Sequence, residues 1–171
     1  PLTLPAVTVP LTIDLTLRQW WPLAAGWLLM TGELTVFTAL VARMPDPEVQ
    51  LAAWGIVFAL STLVQSPSAA LLPTSTAMAR DRVMFGQLSR CAGIVIAALT
   101  ALHAVVALTP LYWTVVTGVM GVPTEAAVAA RPALIIMLPW TFGTGMRRFL
   151  QGVMIRFGQA RIVILGAALR L

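Results

Sequence analysis

Long apolar stretches separated by short polar ones run through almost the whole chain. A bilayer core of about 30 Å needs about 20 apolar residues of helix, because unpaired backbone groups cannot be left in hydrocarbon. Four stretches meet that length, at about 20–42, 51–79, 91–116 and 132–157, and a fifth begins near 161 and continues to 171. The pattern predicts an all-α, polytopic transmembrane bundle over 19–171, with about four full helices and the start of a fifth. Residues 1–18 read as an N-terminal tail. Its segment TVPLTIDLTL alternates apolar and polar residues, but a single strand has no partner there, so the tail is placed along the membrane surface. Arg18, Gln19, Trp20 and Trp21 form an aromatic and polar edge of the kind found at membrane interfaces, and Tyr112 and Trp113 form another.

The charges fall between the stretches. Arg43–Val49 and Gly118–Arg131 carry one arginine each, beside the acids Asp46, Glu48 and Glu125. Arg80–Arg90 holds three arginines and Arg147–Arg161 holds four. By the positive-inside rule the second and fourth connections, and with them the N-terminus, are cytoplasmic.

Composition then narrows the class. The residues AVILMFWYC make up 59% of the 171 and only 10% are charged, more apolar surface than a water-soluble domain of this size can hide. The net charge of +5 comes from eleven arginines against six acids, with no lysine. These arginines are dispersed rather than gathered with aromatics, so no nucleic-acid partner is expected. The expected partner is the lipid bilayer. Cys91 is the sole cysteine, which excludes a disulfide framework, and the sole histidine, His103, cannot build a metal site alone. No phosphate loop, nucleophile elbow or metal motif is present, so neither catalysis nor a cofactor is expected. The chain starts at Pro1 and stops inside an apolar run, Ile162–Leu171, and is read as a piece of a longer protein.

Few polar residues interrupt the apolar stretches. Glu33 lies near the middle of the first, where an ionised carboxylate is costly and usually faces the protein interior or a wet cavity. It is either a coupling group or a carboxyl hydrogen-bonded for packing. Arg147 and Arg148 lie well inside the fourth stretch. They either hold an anionic group or pair with Glu33, or, if the span ends near Met146, reach the lipid headgroups. Pro67 and Pro73, among Ser66, Ser68, Thr74, Ser75 and Thr76, are helix-break candidates. Proline frees carbonyls that hydroxyls or water can satisfy, and such breaks either line transport paths or are ordinary kinks. His103 is either a proton relay or a hydrogen-bonding residue between helices.

Two stretches resemble the multidrug and toxic compound extrusion (MATE) superfamily. WPLAAGWLLMTGELTVFTALVARMPDPEVQLAAWGIVFAL, from Trp21, is similar to the first two helices of those exporters. Pro22 stands at the family's proline, Ala42–Met44 with Pro47 and Glu48 at its Gly-Arg-Leu-Gly-Pro-Glu loop, and Ala52-Ala53-Trp54-Gly55 at its Ala-Ala-x-Gly pattern. RRFLQGVMIRFGQARIVI, from Arg147, is similar to the stretch leading from the fourth helix to the fifth, with extra residues between Gln151 and Arg161. That longer form and the acid at Glu33 are closer to the progressive ankylosis (ANK) membrane proteins and their bacterial relatives. The aspartate that many MATE exporters carry in the first helix falls here on Phe37, one turn from Glu33, so their proton or sodium coupling is not carried over.

The resemblance implies a twelve-helix transporter of two six-helix lobes in a bacterial inner (plasma) membrane, of which this chain supplies roughly the first four and a half helices of the N-terminal lobe. A missing C-terminal lobe would complete it. The implied activity is secondary-active export of an organic or amphipathic solute, with Glu33, Arg147, Arg148 and Gln151 as substrate or ion-coupling groups. A lipid-linked precursor flippase would show a broad, positively lined cavity. A membrane scaffold with no transport cycle would turn Glu33 and the arginines into packing interfaces.

Overall fold

The computed structural model describes residues 13–159 together with Ile162 and Gly166, and before Thr31 only some side chains of the first helix. The tail before Ile13 and the fifth apolar stretch, those two residues apart, lie outside the described residues. So do the side chains of Arg18, Gln19, Trp20 and Pro22.

Among the described residues the chain is helical throughout, without a strand. The elements are α1 (Ile13–Val41), α2 (Pro47–Gln65), a 3₁₀ segment (Ser66–Ala70), α3 (Leu71–Met78), α4 (Arg82–Leu108), α5 (Leu111–Trp113), a π-helical segment (Thr114–Val119), α6 (Thr124–Ile136) and α7 (Leu138–Arg156). Two runs, Pro47–Met78 and Arg82–Leu108, are long and apolar enough to cross a membrane. The pair α6 and α7, bent by 49°, adds a third if it acts as one broken span, and Thr31–Val41 is a shorter apolar helix.

Several boundaries differ from those the hydropathy pattern suggests, for local reasons. α1 already begins at Ile13, inside the stretch read as tail. Extending a helix adds one hydrogen bond per residue, whereas an unpartnered strand gains none. α4 begins at Arg82 because Asp81, extended at φ −143°, accepts a hydrogen bond from the Met84 amide at 2.8 Å. Arg82 and Arg90 therefore belong to helix and not to a loop. The same helix stops at Leu108 rather than near Val116, before Pro110, and Thr109 Oγ1 donates back to the Val105 carbonyl at 2.6 Å. α6 starts at Thr124 rather than Pro132, after Gly121 turns the chain at φ +66° and Pro123 fixes the entry. Pro132 lies inside it.

Apolar burial is split into two clusters. The first joins Ala53, Ile56, Val57 and Leu60 of α2 to Ala107, Tyr112, Val116 and, from α6, Ala126, Ala127, Ala130 and Leu134. The second joins Leu71 of α3, Ala92 and Ile96 of α4, and Phe149 of α7. Small residues set the helix spacing in both. Alanines of α6 let its backbone approach α2, and Gly145 and Gly152 let α7 approach α4 and α3.

Arg131 closes the first cluster. Its Nε donates to the Ala107 carbonyl at 3.3 Å and its Nη2 to the Leu108 carbonyl at 3.0 Å, capping the C-terminal end of α4. The guanidinium also lies 5.9 Å from the Tyr112 ring centroid and 5.8 Å from that of Trp113. Tyr112, fully buried, donates its hydroxyl to the Ala127 carbonyl at 2.6 Å. An arginine that reads as a loop charge in sequence is thus a cross-helix cap.

Candidate functional site

Between the two apolar clusters the buried residues turn polar on all three helical lines. On α2 and the 3₁₀ segment, Ser61, Gln65 and Ser68 follow Leu60 and precede Leu71. On α4, His103 lies between Ile96 and Ala107. On the bent pair, Thr141 and Thr144 lie between Leu134 and Phe149. None of these six polar residues is more than 5% exposed. The spacings explain the alignment: Ser61, Gln65 and Ser68 are four and three residues apart, as Thr141, Thr144 and Arg148 are three and four apart, which keeps each set on one helix face.

Hydrogen bonds join parts of this layer. His103 Nδ1 and Thr141 Oγ1 are 2.6 Å apart, linking α4 to α7. Arg148 Nη1 donates to Ser68 Oγ at 3.1 Å, drawing a half-buried guanidinium onto the 3₁₀ segment. One turn further on, Thr76 Oγ1 donates to the Gly152 carbonyl at 3.1 Å and to its own Leu72 carbonyl at 2.9 Å. Ser61 Oγ, Gln65 Oε1 and His103 Nε2 are buried without a protein hydrogen-bond partner among the described residues. An unmet buried polar atom costs about 1–3 kcal/mol. Left unmet, three of them would rival the whole net stability of a small domain, on the order of 5–15 kcal/mol, so each needs a partner.

The residues singled out from sequence distribute unevenly about it. Arg148 and Ser68 meet there, and half-buried Gln151 follows one turn on along α7 beside half-buried Arg147. Pro67 is exposed within the 3₁₀ segment, and Pro73 is exposed on α3. Glu33 is half-buried on α1, which packs against α2. A shallow groove of about 430 Å³ runs between those two helices, lined by Leu34, Thr35, Thr38, Ala39, Ala42 and Leu51. Phe37, about half exposed, stacks on Trp54 with ring centroids 6.3 Å apart. A second groove of about 260 Å³, at the far end, is edged by Asp46, Glu48 and Glu125. No group of three or more His, Cys, Asp or Glu suited to a metal ion occurs among the described residues.

Sequence reasoning passed over Ser61, Gln65, Thr141 and Thr144. Their periodic spacing was a usable signal, since polar residues recurring on one face of an apolar helix mark the side that meets protein. Comparisons of the chain with protein-family models, with curated proteins and with solved structures gave no match.

Proposed function

We propose that the chain is the N-terminal lobe of a secondary-active exporter of the MATE and flippase superfamily, moving an organic or amphipathic solute across a bacterial inner membrane by alternating access. The observation that supports it is the buried polar layer, with Arg148 drawn to its edge, inside helices apolar enough for a bilayer. Polar and charged groups at that depth are expensive and are characteristic of substrate and ion paths. In this reading Glu33, Arg147, Arg148 and Gln151 are the substrate or ion-coupling groups. Two broken helical lines, at Ser66–Ala70 and at Met137, supply the irregular backbone that transporters use at their binding sites.

One observation favours a second reading, a membrane scaffold with no transport cycle: Arg148 is tied to Ser68 in a packed interface, and both grooves lie elsewhere. Transport in liposomes separates the two. With the full-length protein and an imposed pH gradient, efflux of an amphipathic dye is expected, and Glu33→Gln should still bind dye while pH-driven efflux falls about 100-fold, the scale of a lost proton-transfer group. Absence of efflux by the unmodified protein would leave the scaffold. Flipping of a labelled polyprenyl-phosphate lipid, in place of dye efflux, would identify a flippase.

The proposed orientation, N-terminus cytoplasmic, is tested separately. After Cys91→Ser removes the native thiol, a cysteine at Arg80 should be protected from an impermeant thiol reagent in intact cells and one at Asp46 should react. The opposite pattern overturns it.

A further inference from the structure

Ser61 Oγ, Gln65 Oε1 and His103 Nε2 need something the described protein does not give them, and their chemistry defines what it is. Each belongs to a residue no more than 4% exposed and makes no hydrogen bond of good geometry to protein, although the Leu134 carbonyl lies close to the His103 ring. Gln65 Oε1 only accepts hydrogen bonds. Ser61 Oγ donates and accepts, and His103 Nε2 does one or the other according to the tautomer set at its bond to Thr141.

A cation does not fit. The layer's side chains, Ser61, Gln65, Ser68, His103, Thr141 and Thr144, include no carboxylate, and the Arg148 guanidinium already stands at its edge. An added positive charge would be buried uncompensated. An anion is met less fully, because of the three unmet atoms only Ser61 Oγ and, in one tautomer, His103 Nε2 donate to it. A small neutral molecule that both donates and accepts meets all three, and water is the one that occupies such sites in proteins generally.

The backbone supports the same ligand independently. Both helix breaks fall at this level: the 3₁₀ segment begins directly after Gln65, and the 49° bend at Met137 lies between Leu134 and Thr141. Pro67 and Pro139, which have no amide hydrogen, stand within a few residues of those breaks. Interrupted backbone at membrane depth persists where neighbouring polar side chains and ordered water satisfy the freed groups. We infer that the polar layer is a hydration site, in which ordered water completes the hydrogen bonding of Ser61, Gln65 and His103 between two dry apolar clusters. This holds whether the protein transports a solute or not.

His103 is the sole histidine, so nitrogen-15 histidine labelling reports on the layer alone. The experiment is solid-state NMR of the full chain in bilayers of phosphatidylcholine with deuterated acyl chains, with magnetisation passed from water protons to the imidazole. The His103 signals are expected to build up within milliseconds at the rate of a water-contacting group. No build-up from water overturns the proposal. Gln65→Leu gives a second measure through its sign. In a dry layer it removes an unmet acceptor and raises the unfolding temperature. In a hydrated one it strands the water, lowers that temperature by about 2 °C or more and weakens the water transfer to His103. A raised unfolding temperature overturns the proposal, and if the variant does not fold, the unmodified chain's spectrum decides.

Discussion

Gly152→Ala should lower the stability of the bundle by about 3 kcal/mol, the upper end of what overpacking a tight contact costs. α7 crosses α3 at this residue. A Cβ there would run into Ser75 Oγ and the Leu72 carbonyl oxygen and stand 3.1 Å from Ser75 Cβ. None of these can step aside cheaply. The Leu72 oxygen is backbone, and Ser75 Oγ is fixed on the Leu71 carbonyl at 2.7 Å. The helices must therefore separate, which pulls Thr76 off the Gly152 carbonyl and loosens Arg148 on Ser68 one turn away. Gly145→Ala is the control. There the added carbon meets the Ile96 side chain, Cγ1 at 2.8 Å, and no backbone atom, so the cost should be smaller, about 1–2 kcal/mol. Thermal unfolding of the two variants in the same detergent decides. If Gly152→Ala proves no less stable than Gly145→Ala, the close approach of α3 and α7 is wrong.

Arg131→Ala should cost a comparable amount, about 2–3 kcal/mol, because one side chain serves three purposes. It satisfies the carbonyls of Ala107 and Leu108, compensates the negative end of the α4 dipole, and lies near the rings of Tyr112 and Trp113. Ala107 is fully buried, so its carbonyl has no ready recourse to solvent when the guanidinium goes. Arg131→Lys separates charge from shape: it keeps the cation but not the planar fork that reaches two carbonyls at once. Lysine should recover less than half of the loss in a thermal unfolding series. Full recovery would mean that only charge matters at the end of α4. A change within about 0.5 kcal/mol for alanine, the range of ordinary surface substitutions, would show that the cap contributes nothing.

The helical, apolar character of the chain was legible because it rests on composition summed over about 20 residues at a time, which no single contact overrides. Boundaries were less so, since each depends on one local bond. The start of α4 hangs on the Asp81 cap, and a hydropathy window that sees Arg82 and Arg90 reads loop. The break at Met137 was hidden for a related reason. Pro132 drew attention as a helix start, whereas the helix runs through it and bends further on, near Pro139. At the site, Arg148 stood out as an unusual residue for an apolar stretch, and Ser68 through the prolines near it. Ser61 and Thr141 did not, because a lone hydroxyl is unremarkable in a membrane helix until the partner helix buries it. Single-residue oddity was thus visible, while the joining of ordinary residues from three helical lines into one layer was a property of packing.

Of the three helical lines that meet in the polar layer, α4 differs from the other two in one respect that bears on its mechanics. The α2–α3 line is interrupted by the 3₁₀ segment, and the α6–α7 line by the 49° bend, at the same level. α4 runs unbroken from Arg82 to Leu108 and contributes Ala92 and Ile96 to one apolar cluster and Ala107 to the other. The three lines around the layer are thus one stiff rod and two articulated ones. Any rocking of one half against the other strains the full hydrogen-bond ladder of α4 but can be absorbed by torsion at the two breaks, where fewer backbone bonds resist it. Bending at the layer therefore falls on the two broken lines, while α4 holds its length.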